Sequence, residues 1–232
     1  MTEHSIEKID RKRVRIVAAS WSGTLFNELR GMQTTLSGLV RTEGRLLDIE
    51  AMALVWRKEI WRQTQKKYLP WREIACLALD RTFRAHGITP PELDAYDIQN
   101  EVLAWPMHRD QGQVGLLGRR LRLAILSQQD APTIGPCLRG LSRACDRLVT
   151  SDLSRAYKPN PAYFRLLRPQ LDVEEPQEAL VVSTDVFTDL DPAHLEGFQT
   201  VRIRLTHDED EDNDKDENAV LPTLADVVRL LG

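Results

Sequence analysis

Side chains able to do chemistry gather just beyond the ends of four short apolar runs. Ser20 and Thr24 follow residues 14–19 (VRIVAA), and Ser127 with Gln128 follows residues 121–126 (LRLAIL). Lys158 comes shortly after residues 147–150 (RLVT), and Ser183, Asp185 and Asp189 follow residues 179–182 (ALVV). Hydroxyls, an ammonium and two carboxylates in such places suit an anion-binding cleft. Each residue also has a plainer reading. Serine and threonine at strand ends cap the next helix, and aspartates occupy turns. Lys158 before Pro159 reads as a solvated turn residue. The ordered recurrence of polar groups after strands carries the functional reading.

The apolar runs are short and rich in β-branched residues, as buried strands are. A fifth, residues 199–205 (QTVRIRL), alternates more than the others and reads as an edge strand. From residue 27 to residue 100 the spacing is helical instead. Leu47, Ile49, Ala51, Met52, Val55, Trp56 and Ile60 mark one amphipathic helix. Trp71, Ile74, Leu77, Ala78, Leu79 and Phe83 mark another, stopped near Gly87 and Pro90-Pro91. Further helices are expected at about 132–143, 161–167, 191–196 and 223–231. Strands alternating with helices predict an α/β fold, a Rossmann-like parallel sheet flanked by helices, with a helical cap inserted after the first strand. The boundaries are 1–26 and 107–232 for the core and 27–106 for the cap.

No apolar run in the 232 residues approaches the 18–20 needed to span a bilayer, and the N-terminal 15 residues lack the apolar stretch of a secretory signal. Cys76, Cys137 and Cys145 have neither metal-ligand nor redox spacing and read as buried thiols of a reducing cytoplasm. Net charge is −4, of which residues 208–217 contribute −7 through eight acids and one lysine. The rest is nearly neutral, so neither nucleic acid nor a membrane is an expected partner. The acidic stretch imitates a calcium loop poorly, with Asn213 for the sixth-position glycine and Ala219 for the twelfth-position glutamate. A disordered surface loop is expected there. Trp56, Trp61, Trp71 and Trp105 read as packing between cap and core, or as the wall of an apolar substrate pocket.

In order, Ser20-Trp21-Ser22-Gly23-Thr24-Leu25-Phe26, Leu123-Ala124-Ile125-Leu126-Ser127, Tyr157-Lys158-Pro159-Asn160-Pro161 and Ser183-Thr184-Asp185-Val186-Phe187-Thr188-Asp189 resemble the four motifs of the haloacid dehalogenase superfamily. The details are most similar to its 2-haloacid dehalogenases, and Trp56-Arg57 resembles the cap segment holding their substrate-binding arginine. The resemblance implies catalytic positions at Ser20, Ser127, Lys158, Asp185 and Asp189. It implies substrate contacts from Thr24, Arg57 and Gln128. A small anionic ligand and a homodimer formed through the cap are the expected partners.

The sequence also departs from the pattern. The family's attacking aspartate is replaced by Ser20, and the second aspartate of its phosphatases by Ser22. An ionised carboxylate attacks unaided, whereas a hydroxyl needs a base. The nearest histidines, His108 and His194, fall in a cap junction and a helix. Gln128 replaces the usual asparagine, and Phe164, beside Tyr163, the usual tyrosine. The fourth-motif aspartate is displaced by one residue, with Thr188 in its place and Asp189 beyond. The spacing Asp185-x-x-x-Asp189 is that of a Mg²⁺ pair, but with no carboxylate at residue 20 no cofactor is expected. Three readings follow: a degenerate hydrolase fold that binds an anion or a partner, an active hydrolase using Ser20 and Lys158, and a non-enzymatic interaction protein.

Overall fold

The computed structural model describes residues 9–40, 47–108, 111–140, 145–204 and 219–231. The acidic stretch 208–217 lies outside the described residues. Six strands form one parallel sheet: β1 (Ile16–Ser20), β2 (Arg122–Ser127), β3 (Arg147–Thr150), β4 (Ala179–Ser183), β5 (Gln199–Ile203) and β6 (Ala219–Leu221). Their order is β3-β2-β1-β4-β5-β6. The central strands are continuous apolar runs because both faces are covered. Val17, Ala19, Leu123, Ile125, Leu180 and Val182 face one apolar cluster; Ile16, Ala18, Ala124, Leu126 and Val181 face a second.

β1 pairs with β2 on one side and β4 on the other, so the winding reverses at β1. In such sheets a crevice opens at the carboxyl ends of the strands where the order reverses. Ser20 ends β1 at this point.

Between β1 and β2 the chain forms helices α1 (Glu28–Leu39), α2 (Ile49–Thr64), α3 (Trp71–Ala85), α4 (Ala95–Leu103) and α5 (Gln111–Arg120). α2 is capped by Asp48, whose side chain accepts from the Ala51 amide at 2.9 Å. It buries Met52, Ala53, Trp56 and Ile60, a 3–4 spacing that makes one apolar stripe. α3 buries Trp71, Ile74, Ala75, Ala78, Leu79 and Phe83 against it. These helices share a cluster with the sheet, in which Met32, Met52, Trp56, Trp71 and Trp105 join Val17 and Ala19. Arg72 of α3 is ion-paired with the buried Asp130, which follows β2.

Several sequence expectations need correction. β5 is not an edge strand, because Val201–Ile203 pairs in parallel with β6, a three-residue strand too short to carry a periodic signal. The helix expected at 132–143 is one α-helical turn, Ala131–Ile134, continued as a 3₁₀ segment at Gly135–Gly140. Pro136 lacks the amide an α-helix would use there, and its ring crowds the preceding turn. α1, α4 and α5 add three helices to the two that the sequence singled out, α1 burying Met32 and Leu36 and α4 burying Ile98 and Val102. α1 also contains Gly31, required because a Cβ there would lie 2.2 Å from the Trp105 ring. The three cysteines are unpaired but only partly buried. Burial nonetheless pushes the Cys137 thiol up to about 11.

Candidate functional site

The turn after β1 is built around Gly23. Its φ is +77°, and a Cβ there would meet the Thr184 hydroxyl at 2.9 Å, so backbone and space both require glycine. The Leu25 and Phe26 amides both donate to the Trp21 carbonyl, at 3.1 and 2.9 Å. The turn holds Ser20 at the sheet edge with its side chain buried.

Lys158 is buried and converges on Ser20. Its Nζ donates to Ser20 Oγ at 3.1 Å and is ion-paired with Asp189, also buried. The ammonium lies 5.7 Å from the centre of the Tyr163 ring. The Tyr163 hydroxyl donates to the Ser127 and Val149 carbonyls, and burial raises its pKa well above the usual value. Phe164 packs in the second apolar cluster. Tyr163, adjacent to the motif position, therefore supplies the aromatic face beside the lysine.

Asp189 reaches Lys158 because residues Val186–Leu190 form a single π-helical turn. The Leu190 amide donates to the Asp185 carbonyl at 3.3 Å, closing the wider i to i+5 ring. The turn absorbs one extra residue, and Asp189 rather than Thr188 meets the lysine. Its other oxygen accepts from Ser183 Oγ at 2.7 Å. Asp185 instead caps the turn, accepting from the Thr188 amide at 2.8 Å.

A cavity of about 770 Å³ opens above this cluster. Ser20, Lys158, Asp185, Asp189, Gln128 and Arg57 all line it, as the sequence predicts. Arg57 comes from α2. Thr24 and Ser127 do not line it. The Thr24 hydroxyl accepts from the Thr184 amide at 3.0 Å, stapling the β1 turn to the loop after β4. Ser127 Oγ accepts from the Gln129 amide at 2.9 Å. Both hydroxyls shape backbone, the plainer of their two readings. His108 and His194 are absent from the lining.

Trp61 of α2 meets Phe187 of the π-turn edge-on at 6.1 Å, joining the two walls at the mouth. Trp56 and Trp105 are packing residues, and Trp71 is both packed and cavity-lining.

Glu28, the first residue of α1, also lines the cavity, although nothing in the sequence marks it out. Burial raises its pKa, partly offset by the charge of Arg57, a hydrogen bond with Ser22 and the charge of Lys158. An acid in a first helical turn reads as a dipole complement, which conceals its place in the cleft.

The donor set does not fit a divalent cation. Asp189 spends one oxygen on an ammonium and the other on a hydroxyl, Asp185 caps a turn, and residue 20 brings no carboxylate. Among the described residues no group of three His, Cys, Asp or Glu side chains is placed to share a metal.

A parallel doubly wound sheet with helices inserted after β1, and a lysine–aspartate pair at its carboxyl edge, defines an α/β fold of the Rossmann-like class. The chain is 27% identical over 200 residues to (S)-2-haloacid dehalogenase 1 of Pseudomonas sp. (strain CBS-3), covering 78% of this chain and 83% of that one. The L-2-haloacid dehalogenase of Xanthobacter autotrophicus with chloropropionic acid covalently bound superposes with a TM-score of 0.80 at 22% identity, over 94% of this chain and 98% of the other. The defluorinating L-2-haloacid dehalogenase Rha0230 does so with a TM-score of 0.78 at 17% identity, over 94% and 95%. The magnesium-bound HAD-hydrolase YfnB of Bacillus subtilis gives 0.75 at 14% identity, over 94% and 99%. No family model matches the chain. Over most of its length the chain is similar in sequence to a 2-haloacid dehalogenase, and it shares the fold of the L-2-haloacid dehalogenases.

Proposed function

We propose that the cleft binds a small organic carboxylate through Arg57 and does not hydrolyse it through an aspartyl ester. Ser20 is read as occupying the place of the family's nucleophile. The observation that carries this reading is the Lys158 hydrogen bond to Ser20, made while the same ammonium is paired with Asp189. A lysine so engaged donates to the hydroxyl and does not remove its proton. Losing a hydrolytic nucleophile typically costs about 10⁶ in turnover.

The 3.1 Å contact also favours a second reading, an active hydrolase in which Lys158 deprotonates Ser20. The buried Asp189 opposes it, because the amine is already engaged in an ion pair with that carboxylate.

The test pairs the native protein with Ser20→Asp on 2-haloacids and phosphate monoesters. We expect negligible native turnover and metal-independent haloacid turnover from Ser20→Asp. Native turnover abolished by both Ser20→Ala and Lys158→Ala overturns the main reading in favour of the second. Gain of function in neither assay favours a purely binding role, as in a non-enzymatic interaction protein.

Residues 27–106 are read as a cap over the cleft, with a homodimer formed through it, and the unpaired cysteines favour a cytoplasmic setting. No helix among the described residues is long and apolar enough to cross a membrane.

A further inference from the structure

The cleft holds opposed charges. Arg57 supplies a cation, and Glu28 brings a carboxyl group to the same cavity, whose lining also includes Ser22. A simple haloalkanoate satisfies the basic side chains of the wall, Arg57 and Lys58, and leaves Glu28 without a partner. Its carboxylate would also have to sit in the field of Glu28, an arrangement that selects against a plain anion. Part of the remaining wall is apolar, formed by Met32, Leu54, Trp61 and Phe187, beside the polar Lys58, Thr64 and Thr188. Leu54 and Phe187 are 43% and 64% exposed, so apolar surface at the mouth stands open. A volume near 770 Å³ lies in the range of ligands much larger than a three-carbon acid.

We propose that Glu28 is the specificity-determining residue of the cleft and selects a zwitterion, an amino acid with an apolar side chain. The carboxylate pairs with Arg57, the ammonium with Glu28, and the side chain lies against Trp61 and Phe187. An ammonium in contact with Glu28 stabilises the ionised carboxylate, relieving the cost that burial imposes on it. The inference rests on Arg57 as the carboxylate anchor, the reading advanced above.

Calorimetric titration with leucine, 2-hydroxy-4-methylpentanoate and 2-chloro-4-methylpentanoate at neutral pH tests it. The three probes share an apolar body and a carboxylate, and only leucine carries an ammonium. We expect the native protein to prefer leucine by at least about tenfold, the scale of one well-placed charge contact. Glu28→Gln should erase that preference, largely by weakening leucine. Arg57→Met should weaken all three probes alike. Equal native affinities, a preference for either des-amino acid, or no binding of leucine at millimolar concentration overturns the proposal without recourse to any variant. If Arg57→Met changes no affinity while Glu28→Gln still removes the leucine preference, the anion anchor is wrong and the assignment of Glu28 stands.

Discussion

The ammonium of Lys158 lies 3.1 Å from the hydroxyl of Ser20 and donates to it, joining the end of β1 to the loop after β3. Both residues are no more than 2% exposed, although they form part of the cavity floor. Lys158 is ion-paired with the buried Asp189. This pair is structural as well as chemical, and its removal has consequences for stability.

Lys158→Met should destabilise the fold by about 3–5 kcal/mol, because it strands the Asp189 carboxylate in a buried site. Lys158→Met with Asp189→Leu should recover much of the loss, since a buried ion pair replaced by apolar groups is often neutral. Urea unfolding of the two variants checks this. A double variant as unstable as the single one would show that the pair is not the source.

The π-turn leads to a deletion experiment. Removing Thr188 shortens the segment between Asp185 and Asp189 by one residue, letting an ordinary helical turn present the same carboxylate. The variant should fold within about 1 kcal/mol of the native protein, the usual scale of a change in surface conformation. A crystal structure should show the Asp189 carboxylate still on Lys158. Loss of that contact in a folded variant would mean that the extra residue is needed to place it.

Gly31→Ala sets helix propensity against packing. In an exposed helix the change would stabilise by about 1 kcal/mol. Here the new methyl would lie 2.2 Å from the Trp105 ring, and overpacking typically costs about 1–3 kcal/mol. Trp105 is also held by a hydrogen bond to Thr35 at 3.0 Å and cannot easily retreat. Net destabilisation in thermal melts is expected, and a higher Tm would contradict it.

Glu28 should make stability depend on pH in a definite direction. Its folded pKa is raised above the ordinary 4.5 by burial, so its contribution is fully present below that value. It is lost as pH rises through the folded pKa, because the folded state then holds an unfavourably buried carboxylate. Glu28→Gln should therefore gain stability relative to the native protein as pH rises from 4.5, with the difference levelling off once Glu28 is ionised. Urea midpoints of both proteins at several pH values check the sign. A gap that widens on acidification would reverse the assignment.

How much was legible in the sequence can be followed residue by residue. The strands β1 to β4 were visible because a sheet covered on both faces needs unbroken apolar runs, and helices α2 and α3 because one buried stripe recurs every three to four residues. The proximity of Ser20 and Lys158 was also legible, since strand ends converge in this fold wherever the order reverses. Thr24 and Ser127 were expected in the cleft, but their side chains turn to backbone amides and do not line it. A hydroxyl is equally suited to either partner, and sequence position does not say which it meets.

Tertiary structure alone decided three things. Asp189 took the place of Thr188 because a π-turn rotates the chain by one residue, a geometric adjustment with no compositional mark. β6 appeared because three residues can complete a ladder whose partner is already in place. Glu28 became a cleft residue because α1 starts immediately beyond the turn that carries Ser20 and Ser22. Local sequence sets which side chains a turn or helix can carry and in what order. Which of them share a cavity depends on how elements far apart in the chain pack together, and that is set by contacts no local pattern encodes.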